Sequence, residues 1–83
     1  MPVLSAFYGI IVRMYKETAE GIKSTYSGDE IVISLDGEIL EGSIPNNKLK
    51  LLEAWMVIHH DDLEANWELI SKREKFFGID PLK

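Results

Sequence analysis

The sequence predicts an α+β fold, an antiparallel β-meander of three to four strands followed by two helices. Three observations carry this: apolar residues alternate in the first half, an Asp36-Gly37 pair joins two β-rich runs, and the spacing turns helical beyond Pro45. The 83 residues contain no internal repeat, low-complexity stretch or Pro/Gly/Ser linker, so a single domain is expected over 1–83. Hydrophobic residues at 46% and charged residues at 28% fit a chain that folds rather than one that stays disordered.

From Phe7 to Tyr15, the residues Tyr8, Ile10, Val12 and Met14 alternate with Phe7, Gly9, Ile11, Arg13 and Tyr15. This predicts one strand over 7–15 with the first set facing the core. Lys16 to Gly21 suits a loop, Ile22 to Tyr26 a short second strand, and Ser27-Gly28-Asp29 a turn. Asp36-Gly37 favours a two-residue type I′ turn between strands at 30–35 and 38–44. Such a turn fixes the register: Leu35 pairs with Glu38, Ser34 with Ile39, Ile33 with Leu40, Val32 with Glu41 and Ile31 with Gly42. Ile31, Ile33, Leu35, Leu40 and Ile44 would then share the buried face.

Beyond Pro45 the apolar stripe runs through Leu52, Trp55, Met56, His59, Leu63, Trp67 and Ile70. One continuous helix from Asn46 to Arg73 would be about 42 Å long, more than so small a domain can cover. Asp61-Asp62-Leu63-Glu64 has the capping-box arrangement, which predicts helices over 46–59 and 61–74 with the break near His60. Gly78 and Asp80-Pro81 mark an extended tail.

Composition narrows the function. There is no cysteine, so disulfides, thiolate zinc sites and cysteine nucleophiles are excluded. With 14 acidic and 9 basic residues the net charge is −5, which makes a nucleic-acid backbone an unfavourable partner. No apolar run is long enough to span a bilayer, and the opening residues lack the basic-then-apolar pattern of a secretory signal, so a cytoplasmic location and no membrane partner are expected. The glycines match no phosphate-loop spacing, and neither a cofactor nor a small-molecule ligand is indicated.

The opening Met1-Pro2-Val3-Leu4-Ser5, then Phe7-Tyr8-Gly9-Ile10 and Arg13-Met14-Tyr15, are one part of a recurring pattern. Gly37-Glu38-Ile39-Leu40-Glu41-Gly42 with Ile44-Pro45, Leu49-Lys50-Leu51 with Trp55 and His59, and Glu64 with Asn66-Trp67 complete it. In their order and spacing these segments resemble a bacterial family of domains of unknown function, DUF4160. The resemblance implies no defined activity; it implies small paired modules of toxin–antitoxin type. Family members usually carry Pro-Pro-His-Phe-His before the second strand, whereas Ala19-Glu20-Gly21-Ile22-Lys23-Ser24-Thr25-Tyr26 here has neither histidine nor proline. Chemistry resting on that histidine pair therefore does not carry over.

Among candidate sites, His60 and Glu64 would lie one helical turn apart, as two ligands of one metal ion must. Further ligands would have to come from Asp61, Asp29, Glu30 or Glu38, and the simpler reading is that His59 continues the apolar stripe, Asp61 caps a helix and Asp62 favours the positive helix N-terminus. No serine has the context of a catalytic nucleophile, and no catalytic residue is assigned. The predicted register turns Phe7, Ile11, Arg13, Tyr15, Val32 and Ile39 to the second face of the sheet. Unless a helix covers them, they form an apolar and aromatic patch suited to a protein partner or to self-association into a homo-oligomer. Asp61, Glu64 and Glu68 line one helix face, and Asp29, Glu30, Asp36, Glu38 and Glu41 crowd the hairpin, an array able to engage a basic partner. The expected function is a non-enzymatic protein-binding module. The alternative is a metal-independent ribonuclease-like toxin using Arg13, Lys23, His59 or His60.

Overall fold

The computed structural model describes residues 3–14 and 21–82. Five antiparallel strands form one sheet in sequential order, β1 (Val3–Phe7), β2 (Ile10–Met14), β3 (Gly21–Tyr26), β4 (Asp29–Ser34) and β5 (Ile39–Gly42). Two helices follow, α1 (Asn46–Ile58) and α2 (His60–Ser71). The α+β class and the meander hold, with one strand more than the sequence predicts. The loop expected at Lys16 to Gly21 lies outside the described residues except for Gly21, which opens β3.

The additional strand comes from Tyr8-Gly9. Both residues have positive φ, +48° and +80°, the signature of a two-residue type I′ turn, and Phe7 pairs across it with Ile10. The span expected as one strand is thus a hairpin. Directly paired residues share a face, so Phe7 joins Ile10 on the core side and Tyr8 is left exposed at the turn. Ser27-Gly28 makes a second turn of the same kind, with φ of +48° and +89°.

The Asp36-Gly37 connection differs from its expected form. The amide of Gly37 donates to the Ser34 carbonyl at 2.9 Å, and the Ser34 amide donates to the Glu38 carbonyl at 2.8 Å. The loop therefore has three residues, Leu35, Asp36 and Gly37, with only Gly37 at positive φ, +94°. Ser34 Oγ accepts from the Glu38 amide at 3.0 Å and tightens the turn. Near the turn, Ile33 then pairs with Ile39 instead of Leu40, while Val32–Glu41 and Ile31–Gly42 stand as expected. The shift is absorbed by a bulge that leaves Leu40 without a partner. Leu35 drops into the core, whereas Leu40, expected there, is 46% exposed.

The core lies between one sheet face and the helices. Ile10, Val12, Met14, Ile22, Ile31 and Ile33 meet Leu52, Trp55 and Met56 of α1 and Leu63 of α2. The rings of Phe7 and Trp55 lie 5.4 Å apart. Between the helices, the amide of His59 donates to Trp55 O and the carbonyl of His59 accepts from Leu63 N, each at 2.9 Å. His59 thus ends one ladder and begins the next, so the break falls one residue earlier than expected. Asp61 is already helical and makes no side-chain cap, and with Asp62 it sits in the first turn, where carboxylates complement the helix dipole.

α2 stops at Ser71 instead of running to 74. Glu74 N donates to Leu69 O at 2.8 Å and Arg73 N to Ile70 O at 3.1 Å, the paired bonds of a Schellman motif, with Arg73 at φ +59° where glycine is usual. The chain beyond folds back as a clasp. Asn66, fully buried, donates through Nδ2 to the Phe77 carbonyl and accepts from the Phe77 amide, both at 2.9 Å. Trp55 Nε1 donates to the Asp80 carbonyl at 2.8 Å, and Ile79 N donates to the Leu4 carbonyl at 2.8 Å. The tail thereby meets the free edge of β1 at Leu4.

Candidate functional site

The outer face of the sheet is open, since the residues that point there are exposed or half-buried. Its composition differs from the expected patch. Cross-strand pairing builds one row of Val3, Arg13, Lys23, Val32 and Glu41 and a second of Ala6, Ile11, Thr25 and Glu30. Ile11, Arg13 and Val32 lie on this face as expected. Phe7 does not, because the Tyr8-Gly9 turn reverses its side, and Ile39 does not, because the bulge pairs it with core-facing Ile33. Tyr15 lies outside the described residues. Lys23 Nζ meets Glu30 Oε2 at 3.2 Å across the face. The face is thus a charged ladder with scattered aliphatics and no aromatic ring among its described residues.

His60 and Glu64 do meet, with Nε2 and Oε1 2.9 Å apart, and His59 Nδ1 lies 3.5 Å from Asp62 Oδ2. Each imidazole is thus engaged by a carboxylate of α2. Among the described residues no group of three or more His, Asp or Glu side chains converges as a metal site would require. The basic and imidazole groups of the nuclease alternative are also separated. Arg13 and Lys23 stand on the outer sheet face, whereas His59 stacks near Trp55 on the core side at a ring distance of 5.5 Å.

A different surface emerges where the β4–β5 loop approaches the helical break. A cleft of about 610 Å³ is lined by Leu35, Asp36, Gly37, Glu53, Met56, Val57 and His60. A smaller one of about 190 Å³ adjoins it through Leu35 and Asp36 and reaches Glu64, Trp67 and Glu68. The floor is apolar, from Leu35, Met56, Val57 and Trp67, and the charged lining is all carboxylate: Asp36, Glu53, Glu64 and Glu68. Of the exposed aliphatics, Val57 lines the larger cleft. Val57 is 79% exposed and Ile58 65%, and Ile39 and Leu40 leave the same loop.

The signal for this surface was present in the sequence as Val57 and Ile58, two large aliphatics off the Leu52-Trp55-Met56 stripe. A helix whose apolar residues exceed its buried face has a second face to account for. The three-residue loop that brings Asp36 against α1 had no comparable signal, since Asp36-Gly37 favours the shorter turn.

Among the described residues no helix is long and apolar enough to cross a membrane. Comparison with curated proteins and with solved structures finds no match. The family model described as "Domain of unknown function (DUF4160)" matches residues 9–68, from the first turn through β2 to β5 and most of the helical half. That span takes in four of the five strands, the loop at Asp36 and every residue lining the two clefts, and the chain belongs to the DUF4160 family.

Proposed function

We propose that the protein is a non-enzymatic protein-binding module, and that it binds through the cleft between the β4–β5 loop and the α1–α2 junction. The observation that carries this is the exposure of Val57 where it lines an open, apolar-floored cleft. Large aliphatics grouped at a concave site raise the free energy of the isolated chain and lower it on association, since each buried side chain contributes about 1.5–3 kcal/mol. The outer sheet face supports the role less well, because its aliphatics are dispersed among Arg13, Lys23, Glu30 and Glu41. Membership of one half of a toxin–antitoxin-like pair is compatible with such a module and rests on the family resemblance alone.

The test is site-specific photo-crosslinking in cells of the source organism. A benzophenone side chain replacing Val57 should give discrete protein adducts, and the same group replacing Ile11 on the outer face should give few. Adducts from Ile11 alone, or from neither position, would overturn the assignment.

A further inference from the structure

We infer that the C-terminal clasp is exchangeable, so that residues 77–82 of one copy occupy the same seat on a second copy and form a reciprocal, tail-swapped dimer. The seat reads an extended backbone. Asn66 bonds both the amide and the carbonyl of Phe77, Trp55 Nε1 donates to the Asp80 carbonyl, and the Leu4 carbonyl accepts from the Ile79 amide. Ile79 is buried in the core and Leu82 packs against it. All of these contacts are made by 77–82 alone, so the same segment arriving from another chain makes them equally well.

What ties the segment to its own chain is a reversal at 72–75 that the local sequence opposes. Lys72, Arg73, Glu74 and Lys75 are strong helix formers, and Glu68 and Lys72 stand four apart in the favourable order. The three cations would also suit the last turn of a helix. α2 nevertheless stops at Ser71 with no basic residue in its last turn, and Arg73 takes the left-handed conformation, φ +59°, that glycine would supply without strain. Local propensity and the closed fold thus conflict at one residue. A longer α2 relieves the conflict. Run through Lys75, nine residues beyond Asn66, the helix ends about 14 Å further along its axis and carries Phe77 away from its own clasp. Short hinges under strain invite exchange of the element they tether.

An open tail needs a seat. Its release strips Asn66, fully buried in the closed chain, of both partners and uncovers Trp55 and Ile79. A second open copy restores every one of those contacts while both hinges stay relaxed. The Leu4 carbonyl is filled by an Ile79 amide in either state, so the exchange adds no strand at the edge of β1. Leu4, Trp55 and Asn66 line neither cleft, so the exchange is independent of the proposed binding surface.

The experiment is refolding of the full chain at millimolar concentration, which opens every clasp, followed by sedimentation equilibrium. The wild type should yield a dimer. When isotope-labelled and unlabelled copies are refolded together, isotope-filtered NOEs should connect Ile79 of one copy to Leu4 of the other. Arg73→Gly relaxes the reversal in the closed monomer and weakens the longer helix. It should therefore fold, and should loosen the dimer about a hundredfold, about tenfold at each of the two hinges. Arg73→Ala keeps both the strained reversal and the helix propensity, and should dimerise as the wild type does. A wild type that stays monomeric overturns the inference. So does a dimer whose Ile79–Leu4 contacts are all within one copy, or an Arg73→Gly chain that dimerises as tightly as the wild type. Adducts from position 57 decide the role of the cleft separately.

Discussion

Replacing Asn66 tests how the C-terminal clasp is held. The side chain is fully buried and reads the Phe77 backbone from both sides, donating to its carbonyl and accepting from its amide at 2.9 Å. Asn66→Ala removes both bonds, each worth about 1 kcal/mol net, and leaves a small void, for a total cost of about 2–3 kcal/mol. At a urea slope near 1 kcal/mol per molar, the unfolding midpoint should fall by about 2–3 M. Fluorescence of Trp55 and Trp67 reports the transition, and hydrogen exchange at the Phe77 and Ile79 amides should quicken by more than global unfolding explains.

Asn66→Asp separates geometry from simple truncation. It keeps the acceptor for the Phe77 amide but sets a carboxylate oxygen against the Phe77 carbonyl, so its cost at neutral pH should reach about 3 kcal/mol or more. The buried carboxyl has its folded-state pKa raised above the ordinary aspartate value of about 3.9. The folded state then binds more protons than the unfolded state, and stability falls as pH rises from the unfolded to the folded value. Below about pH 4 the neutral acid can donate to Phe77, and the deficit relative to wild type should narrow to within about 1 kcal/mol. A deficit for Asn66→Asp that is the same at pH 4 and pH 7, or an Asn66→Ala cost under about 0.5 kcal/mol, would refute a clasp held by this pair of bonds.

The β4–β5 turn, the end of α2 and the sheet interior each respond to a single substitution. Leu35→Ala should cost about 2–4 kcal/mol in urea unfolding because Leu35 is buried in the core, while Leu40→Ala at the bulge should cost under about 1; equal costs would restore the two-residue turn. Arg73→Gly should raise the unfolding free energy by about 1 kcal/mol by relieving the left-handed backbone that closes the Schellman motif, and a loss would contradict that geometry. Ser24→Ala should be neutral or stabilising by up to about 1 kcal/mol, since Ser24 Oγ is buried in mid-sheet without a hydrogen-bond partner among the described residues; a cost above about 1 would mean the hydroxyl is satisfied.

The parts of the fold legible in the sequence were those governed by periodicity. Alternation named Ile10, Val12 and Met14 as core, and helical spacing named Leu52, Trp55, Met56 and Leu63. What escaped was governed by single residues at turns. Tyr8 looks like one more apolar strand position, and nothing in its side chain announces φ of +48°, yet that one conformation reverses Phe7 and removes an aromatic from the outer face. Arg73 ends a helix where no glycine marks the end. Asn66 reads as a polar position on an exposed helix, and only the return of the tail makes it a buried partner for Phe77. Each is a long-range or conformational event that local propensity does not encode.

The two edges of the sheet show why association should use the loop–helix junction and not strand addition. At β1 the Leu4 carbonyl is already taken by Ile79. At β5 the strand has only four residues, is bent by the bulge at Leu40, and ends at Gly42 with φ of +76°. A Cβ on Gly42 would overlap the Glu30 carbonyl, so this distortion is locked to the neighbouring strand. Short, bulged edges resist pairing with another chain. The bulge also compensates for the extra loop residue, and that residue is Leu35, whose descent into the core positions Asp36 beside α1 and floors both clefts. One inserted residue therefore both blunts the edge and shapes the cleft, and a variant that restored a two-residue turn would be expected to lose the cleft and gain a flatter, stickier edge together.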